Sequence, residues 1–241
     1  MKRAWRTDQV EISQHEAGLY VFKFNSEGEK QRVLDNGHWL FSNHLVILKP
    51  WTPNTPLHCY DFTTCAFWVQ VFGLPLEMCT KSLIGKAVRH VGRVLDIKIE
   101  NKDGTTLRAG RARVEIRLQE PLKTGKLIRL EGKNIWLDFC YERLSHYCYS
   151  CGKLGHYAMY CKDFPFDEEK MEGKDKMYYG QWLGAEVREH SPFWLTFYET
   201  QDKQEEAAEI IPETPQPSIQ LIPIDHQRNS QNKEIMETIA K

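Results

Sequence analysis

No stretch of this 241-residue sequence stays apolar for the roughly 20 residues that a membrane helix needs. The opening, MKRAWRTDQVE, has no apolar core of the kind a secretory signal carries. The chain is therefore expected to be soluble and intracellular, in nucleus or cytoplasm, and neither secreted nor membrane-bound. HExxH, a phosphate-cradling glycine loop and a convincing nucleophile–base pair are all missing, which argues against an enzyme. His15, His38, His44, His58, His90, His190 and His226 are scattered singly and read as packing or surface residues. Net charge is also small, with 32 Lys+Arg against 33 Asp+Glu. That balance conceals a division. Up to Pro165 there are 24 basic and 17 acidic residues, and from Phe166 onward 8 and 16. A basic body joined to an acidic tail suits polyanion binding beside a solvated segment.

The seven cysteines do not read as a disulfide framework. Cys59, Cys65, Cys79 and Cys140 lie in apolar surroundings, where cysteine acts as a small core residue. The other three fall in CYSCGKLGHYAMYC, whose spacing is C-x2-C-x4-H-x4-C. Three soft thiolates and an imidazole, from Cys148, Cys151, His156 and Cys161, suit one closed, tetrahedral, structural zinc ion. His146 is an alternative imidazole, and it too would leave the coordination closed. So short a loop buries no core, so metal binding must supply its folding energy, on the order of 10 kcal/mol. Gly152 and Gly155 stand where the chain must turn tightly.

Elsewhere the periodicity alternates between strand and helix. Leu19–Phe24 reads as a strand, followed by a helix to about Asp35 with Ser26 and Glu29 as a capping box. His44–Leu48 is a short strand, and Pro53 and Pro56 mark a linker. Phe67–Phe72 is a strand, and Thr80 caps a helix burying Leu83, Ile84, Ala87, Val88 and Val91. The other side of that helix carries a basic ridge that includes Lys86, Arg89 and Arg93. Val94–Glu100 forms a strand, and Arg111–Leu118 alternates, with Arg111, Arg113 and Arg117 on one open face. Arg111 and Arg113 lie two residue rises apart, near the spacing of phosphates along a strand. Leu127–Leu130 and Ile135–Phe139 make a last hairpin, and Gln, Glu and Pro dominate beyond about Thr200.

The Cys148–Cys161 stretch resembles the zinc knuckles of retroviral and retrotransposon nucleocapsid proteins, sharing Tyr149, Gly152, Lys153, Gly155 and Ala158. That resemblance implies that Tyr149 and Tyr157 form a platform for an unstacked base, with Lys153 near a phosphate. Met159 and Tyr160 replace residues that are often basic or polar there, so part of the affinity is expected from the body. NHLVILKPW, FWVQVFGLP, GRVLDI and IWLDFCYERLSHYCYSCGKLGH resemble a plant family of retrotransposon-derived, gag-like proteins. Its members fuse a domain of unknown function to a plant-type zinc knuckle. YYGQWLGA, Tyr178–Ala185, is similar to the segment that follows the knuckle in that family, with Gly184 in place of an arginine.

The resemblance implies an α+β fold with RRM-like (ferredoxin-like) units, helices packed on antiparallel sheets. The expected order is a first unit (1–52) short of an edge strand, a linker (53–66), a second unit (67–145), a knuckle (146–163), a post-knuckle segment (164–199) and a disordered acidic tail (200–241). Single-stranded RNA or DNA, RNA foremost, is the expected partner, the basic sheet and helix holding phosphates and the knuckle stacking bases. The second reading is a protein-interaction or assembly module, through self-association or ribonucleoprotein partners, with the knuckle as a brace.

Overall fold

The structure is a computed structural model that describes residues 2–209 apart from 8, 17, 102–107 and 164–177. The chain divides into a body, Met1–Asp202, and a second unit, Lys203–Lys241. Of the tail expected to be disordered, residues 200–209 continue a helix, while 210–241 and the first part of the post-knuckle segment, 164–177, lie outside the described residues.

The body is a mixed α/β assembly of antiparallel sheets. Strand β5 (Thr64–Phe72) occupies the centre of a five-stranded sheet ordered β6-β7-β5-β9-β8. Its neighbours are β6 (Arg93–Asn101), β7 (Arg108–Arg117), β8 (Gly125–Leu130) and β9 (Lys133–Tyr141). The sequence TCAFWVQVF alternates strictly, so Cys65, Phe67, Val69 and Val71 are buried on one face. Helix α3 (Lys81–Val88) covers that face with Ile84, Ala87 and Val88, against Val114 and Phe139. Thr80 caps it as expected, its hydroxyl accepting the Leu83 N–H at 3.3 Å. Gly92 is fixed by close approach, because a Cβ there would run into the Glu115 carbonyl of β7. Glu131 and Gly132, both at positive φ, make the tight β8–β9 turn.

The first unit has more support than the sequence suggests. Strand β1 (Val10–Glu16) pairs antiparallel with β2 (Leu19–Phe24) and gives it the missing neighbour. In VEISQHE only Val10 is buried, which is why no alternation marks the strand. Helix α1 (Lys2–Trp5) drives Trp5 into a small core with Val10 and Val33, against Phe22 4.9 Å away. Helix α2 (Glu27–Asp35) starts at Ser26 without the expected capping box, since the serine side chain makes no cap bond. A short hairpin, β3 (Trp39–Phe41) and β4 (His44–Val46), completes the unit.

This unit seats against the sheet face opposite α3. Arg113 donates to the Gly37 carbonyl at 3.2 Å, and Arg143 donates to the Asn36 carbonyl at 2.7 Å. The first unit therefore covers the arginine face of β7 at Arg113, where the sequence reading expects an open face, while Arg117 stays exposed.

At the other end of the body, helix α4 (Pro192–Glu209) is tied to β9. Ser191 accepts the Trp194 N–H and donates its hydroxyl to the buried carboxylate of Asp138 at 2.5 Å. Trp136 Nε1–H and the Ser191 N–H also bond Asp138, so this buried acid is well satisfied. Ser191, Asp138 and His190 lie together, but the serine serves as a helix cap.

Candidate metal centre and nucleic-acid interface

After β9 the chain turns through Glu142–Leu144, and Tyr147 pairs with Leu154 across the cysteine turn. Within that turn Gly152 N–H bonds the Cys148 carbonyl at 2.8 Å, and Cys148 N–H bonds the Lys153 carbonyl at 2.9 Å. Cys151 N–H points at the Cys148 sulfur, 3.4 Å away. A short helical turn, Ala158–Tyr160, then brings Cys161 back to the other ligands.

The donor atoms of Cys148, Cys151, His156 and Cys161 all lie within 4.8 Å of one another. Cys151 Sγ and His156 Nε2 are 3.4 Å apart. Zn–S and Zn–N bonds of about 2.3 and 2.0 Å at tetrahedral angles put such a pair near 3.5 Å, so the set fits one structural Zn²⁺. All three sulfurs are shielded, Cys148 completely. Burial pushes the Cys151 thiol up to about 12, so zinc binding displaces protons. His146 is not part of the set; its Nδ1 lies 2.9 Å from the Asn43 carbonyl.

The knuckle is bolted to the body. Gly152 accepts the Leu122 N–H at 3.0 Å. At φ +73 it also lies so close to the Tyr179 ring that a Cβ would collide with it. Tyr147 donates its hydroxyl to the Gly180 carbonyl. Beyond that, Trp182 and Leu183 are buried, Cys140 bonds the Trp182 carbonyl, and Ala185 N–H bonds Tyr141. Periodicity gives Tyr179, Trp182 and Leu183 no role; their signals in the sequence are the brief aromatic cluster and the similarity of YYGQWLGA to the family's post-knuckle segment.

The sequence-selected side chains fall into separate places. Tyr149 and Tyr157 are 40 % and 52 % exposed, as a stacking surface requires. Tyr157 stacks on His146 at 5.0 Å, and His146 meets His44 edge-on. Lys153 is bound to Asp163 at 2.7 Å and holds that carboxyl below the usual range. On the far side of the sheet, Lys86 and Arg89 are exposed on and just after α3. Arg93 pairs with Glu115 at 2.9 Å, and Arg117 with Glu120 at 3.1 Å. Arg111 binds Glu142 at 3.1 Å and lies over the Trp68 ring at 4.7 Å. Lys86 and Arg89 thus lie on the side opposite the arginines of β7, whereas Arg93 reaches Glu115 on the arginine face, so the expected residues do not form one surface. Cys65, Cys79 and Cys140 are buried as expected, but Cys59 is exposed.

Residues 1–58 match the family described as a domain of unknown function (DUF4283), and residues 116–163 match the zinc knuckle family. The chain is 26% identical over 130 residues to an uncharacterized protein of Arabidopsis thaliana. The match covers 54% of this chain and 41% of that protein, so the chain spans under half the relative's length. No solved structure matches. Together with the ligand geometry, these matches join a domain of unknown function to a zinc knuckle of the kind that commonly binds nucleic acid.

Proposed function

We propose that the chain binds single-stranded nucleic acid, RNA in preference to DNA, through a zinc-organised surface that takes unpaired bases. One observation carries this reading: a compact zinc-ligand set, its three cysteines buried, next in sequence to two exposed aromatic rings, Tyr149 and Tyr157. Bound zinc supplies folding energy and rigidity, and with four protein ligands it leaves no position for a reactive water. The chain therefore acts as a binder and not as an enzyme. Its chemistry belongs in a reducing compartment, nucleus or cytoplasm, where thiolates stay available to the metal. The order β6-β7-β5-β9, with α3 on one face, supports an RRM-like reading of the second unit. In that reading β8 takes the place of a second helix. A retrotransposon-derived, gag-like origin fits the same combination of parts.

A second reading also has a specific observation behind it. The contacts of Gly152 with Leu122 and Tyr179 are those of a structural brace within an assembly module. Fluorescence anisotropy with a labelled oligouridine, at about 50 and about 200 mM salt, separates the two. Zinc-loaded protein is expected to bind, and a Cys151→Ser, His156→Ala variant to lose most of that affinity. Equal binding by both proteins refutes the knuckle as reader and favours the brace.

A further inference from the structure

On the sheet face opposite α3 lies a cleft of about 920 Å³, walled by the first unit, the sheet and the segment after the knuckle. Arg6, Arg32, Lys98, Arg111, Arg143 and Arg188 line it. Its two carboxylates are already engaged. Glu142 is held by Arg111 and by Gln70 at 2.9 Å, and Glu186 accepts the Arg143 N–H at 2.7 Å. Six cations against two tied acids leave a concentrated positive field in a recess with protein walls, where such fields are strongest.

Two indoles stand among these cations. Trp68 carries Arg111 at 4.7 Å and Lys98 at 5.1 Å, and Arg143 lies over Trp39 at 5.4 Å. The backbone adds a further sign. Among the described residues seven non-glycine residues have positive φ, and three of them are Arg6, Arg143 and Arg188 of this cleft. Residues held in that region cost about 1 kcal/mol or more each and concentrate at ligand clamps.

We infer that this cleft is a second nucleic-acid site, separate from the knuckle, in which the arginines hold phosphates and a base stacks beside Trp68 or Trp39. The inference rests on the nucleic-acid reading of the knuckle but assigns its own residues. A single strand suits the recess because its bases are free to reach an indole or guanidinium plane, whereas those of a duplex are already stacked. An acidic peptide would satisfy the charge and leave the indoles unused.

The test uses zinc-loaded full chain and labelled oligouridine across a salt series. Three proteins are compared: wild type, Arg6→Ser with Arg188→Ser, and Tyr149→Ala with Tyr157→Ala. Arg6 and Arg188 are exposed, so their loss spares the core. Removing two phosphate contacts should flatten the log–log salt slope by about 1.4. The Arg6→Lys, Arg188→Lys variant should restore the slope, and the tyrosine variant should weaken binding without changing it. A serine variant with wild-type slope and affinity overturns the cleft site, and leaves the knuckle standing if the tyrosine variant is impaired. An impaired serine variant beside an unaffected tyrosine variant supports the cleft and removes the knuckle. Failure of the wild type to bind oligouridine overturns both.

Discussion

The ring of His38 is clamped by Arg143, whose backbone carbonyl lies 2.8 Å from Nε2, while Nδ1 faces the Ala66 carbonyl at 3.1 Å. This pair joins the first unit to the sheet. The imidazole is buried and lies on Phe67, with ring centroids 3.9 Å apart. Burial lowers its pKa below the ordinary 6.5; the two carbonyls oppose that, and the charges of Arg143 and Arg113 add to it.

A pH dependence follows. Below 6.5 the unfolded chain takes up a proton that folded His38 resists. Stability should therefore fall as pH drops from 6.5 towards the depressed folded value, by at most about 1.4 kcal/mol per unit. His90, lowered by burial and by Lys126, contributes with the same sign. Denaturation midpoints from about pH 8 to about pH 5 should show a shallower decline in His38→Gln than in wild type. Identical pH slopes would refute the role given to His38.

Chelation should unfold the knuckle locally and spare the sheet. In hydrogen exchange the amides of Cys148, Gly152 and Gly155 are expected to lose protection on zinc removal. Amides of β5 and β7 should keep theirs, because the core around Val69 and Val114 contains no ligand. One zinc per chain should restore the pattern. Retained protection at Gly152 without metal would contradict a zinc-organised fold.

Gly152 and Tyr179 should be coupled. Gly152→Ala forces a side chain into positive φ and against the Tyr179 ring, a loss of about 1–3 kcal/mol. Pairing it with Tyr179→Ala removes the collision but keeps the backbone strain, so the double variant should cost less than the two single losses added. Strict additivity in denaturant unfolding would show that the ring and the knuckle turn act independently.

Trp5 is the anchor of the first unit. Trp5→Ala should cost about 3–5 kcal/mol, the range for emptying a buried large aromatic site. Its indole N–H is buried with no acceptor among the described residues, so Trp5→Phe should cost far less. Equal losses in the two variants would mean that packing against Phe22 and Phe24 does not hold this unit.

Much of this organisation was legible where local chemistry and burial agree. The ligand spacing named all four members of the metal cluster, Thr80 marked the start of α3, and the alternation of β5 and β7 matched their buried faces. What escaped was tertiary. Strand β1 buries only Val10, so hydrogen bonding to β2 and not hydrophobic pattern makes it a strand. Alternation placed Arg111 and Arg113 outward correctly but could not tell that the first unit seats on that face. Arg6, Arg143 and Arg188 are far apart in sequence and converge only through the fold.

The central claim is that exposed aromatics on the zinc knuckle take unpaired bases, and Tyr157 tests it most directly. Oligouridine affinity should be measured for zinc-loaded wild type, Tyr157→Phe and Tyr157→Ala, with metal content checked in each. Phe should bind as wild type does, and Ala should lose about 1–3 kcal/mol, the worth of one base–aromatic stack, with zinc retained. Wild-type affinity in the zinc-loaded Ala variant would contradict the account.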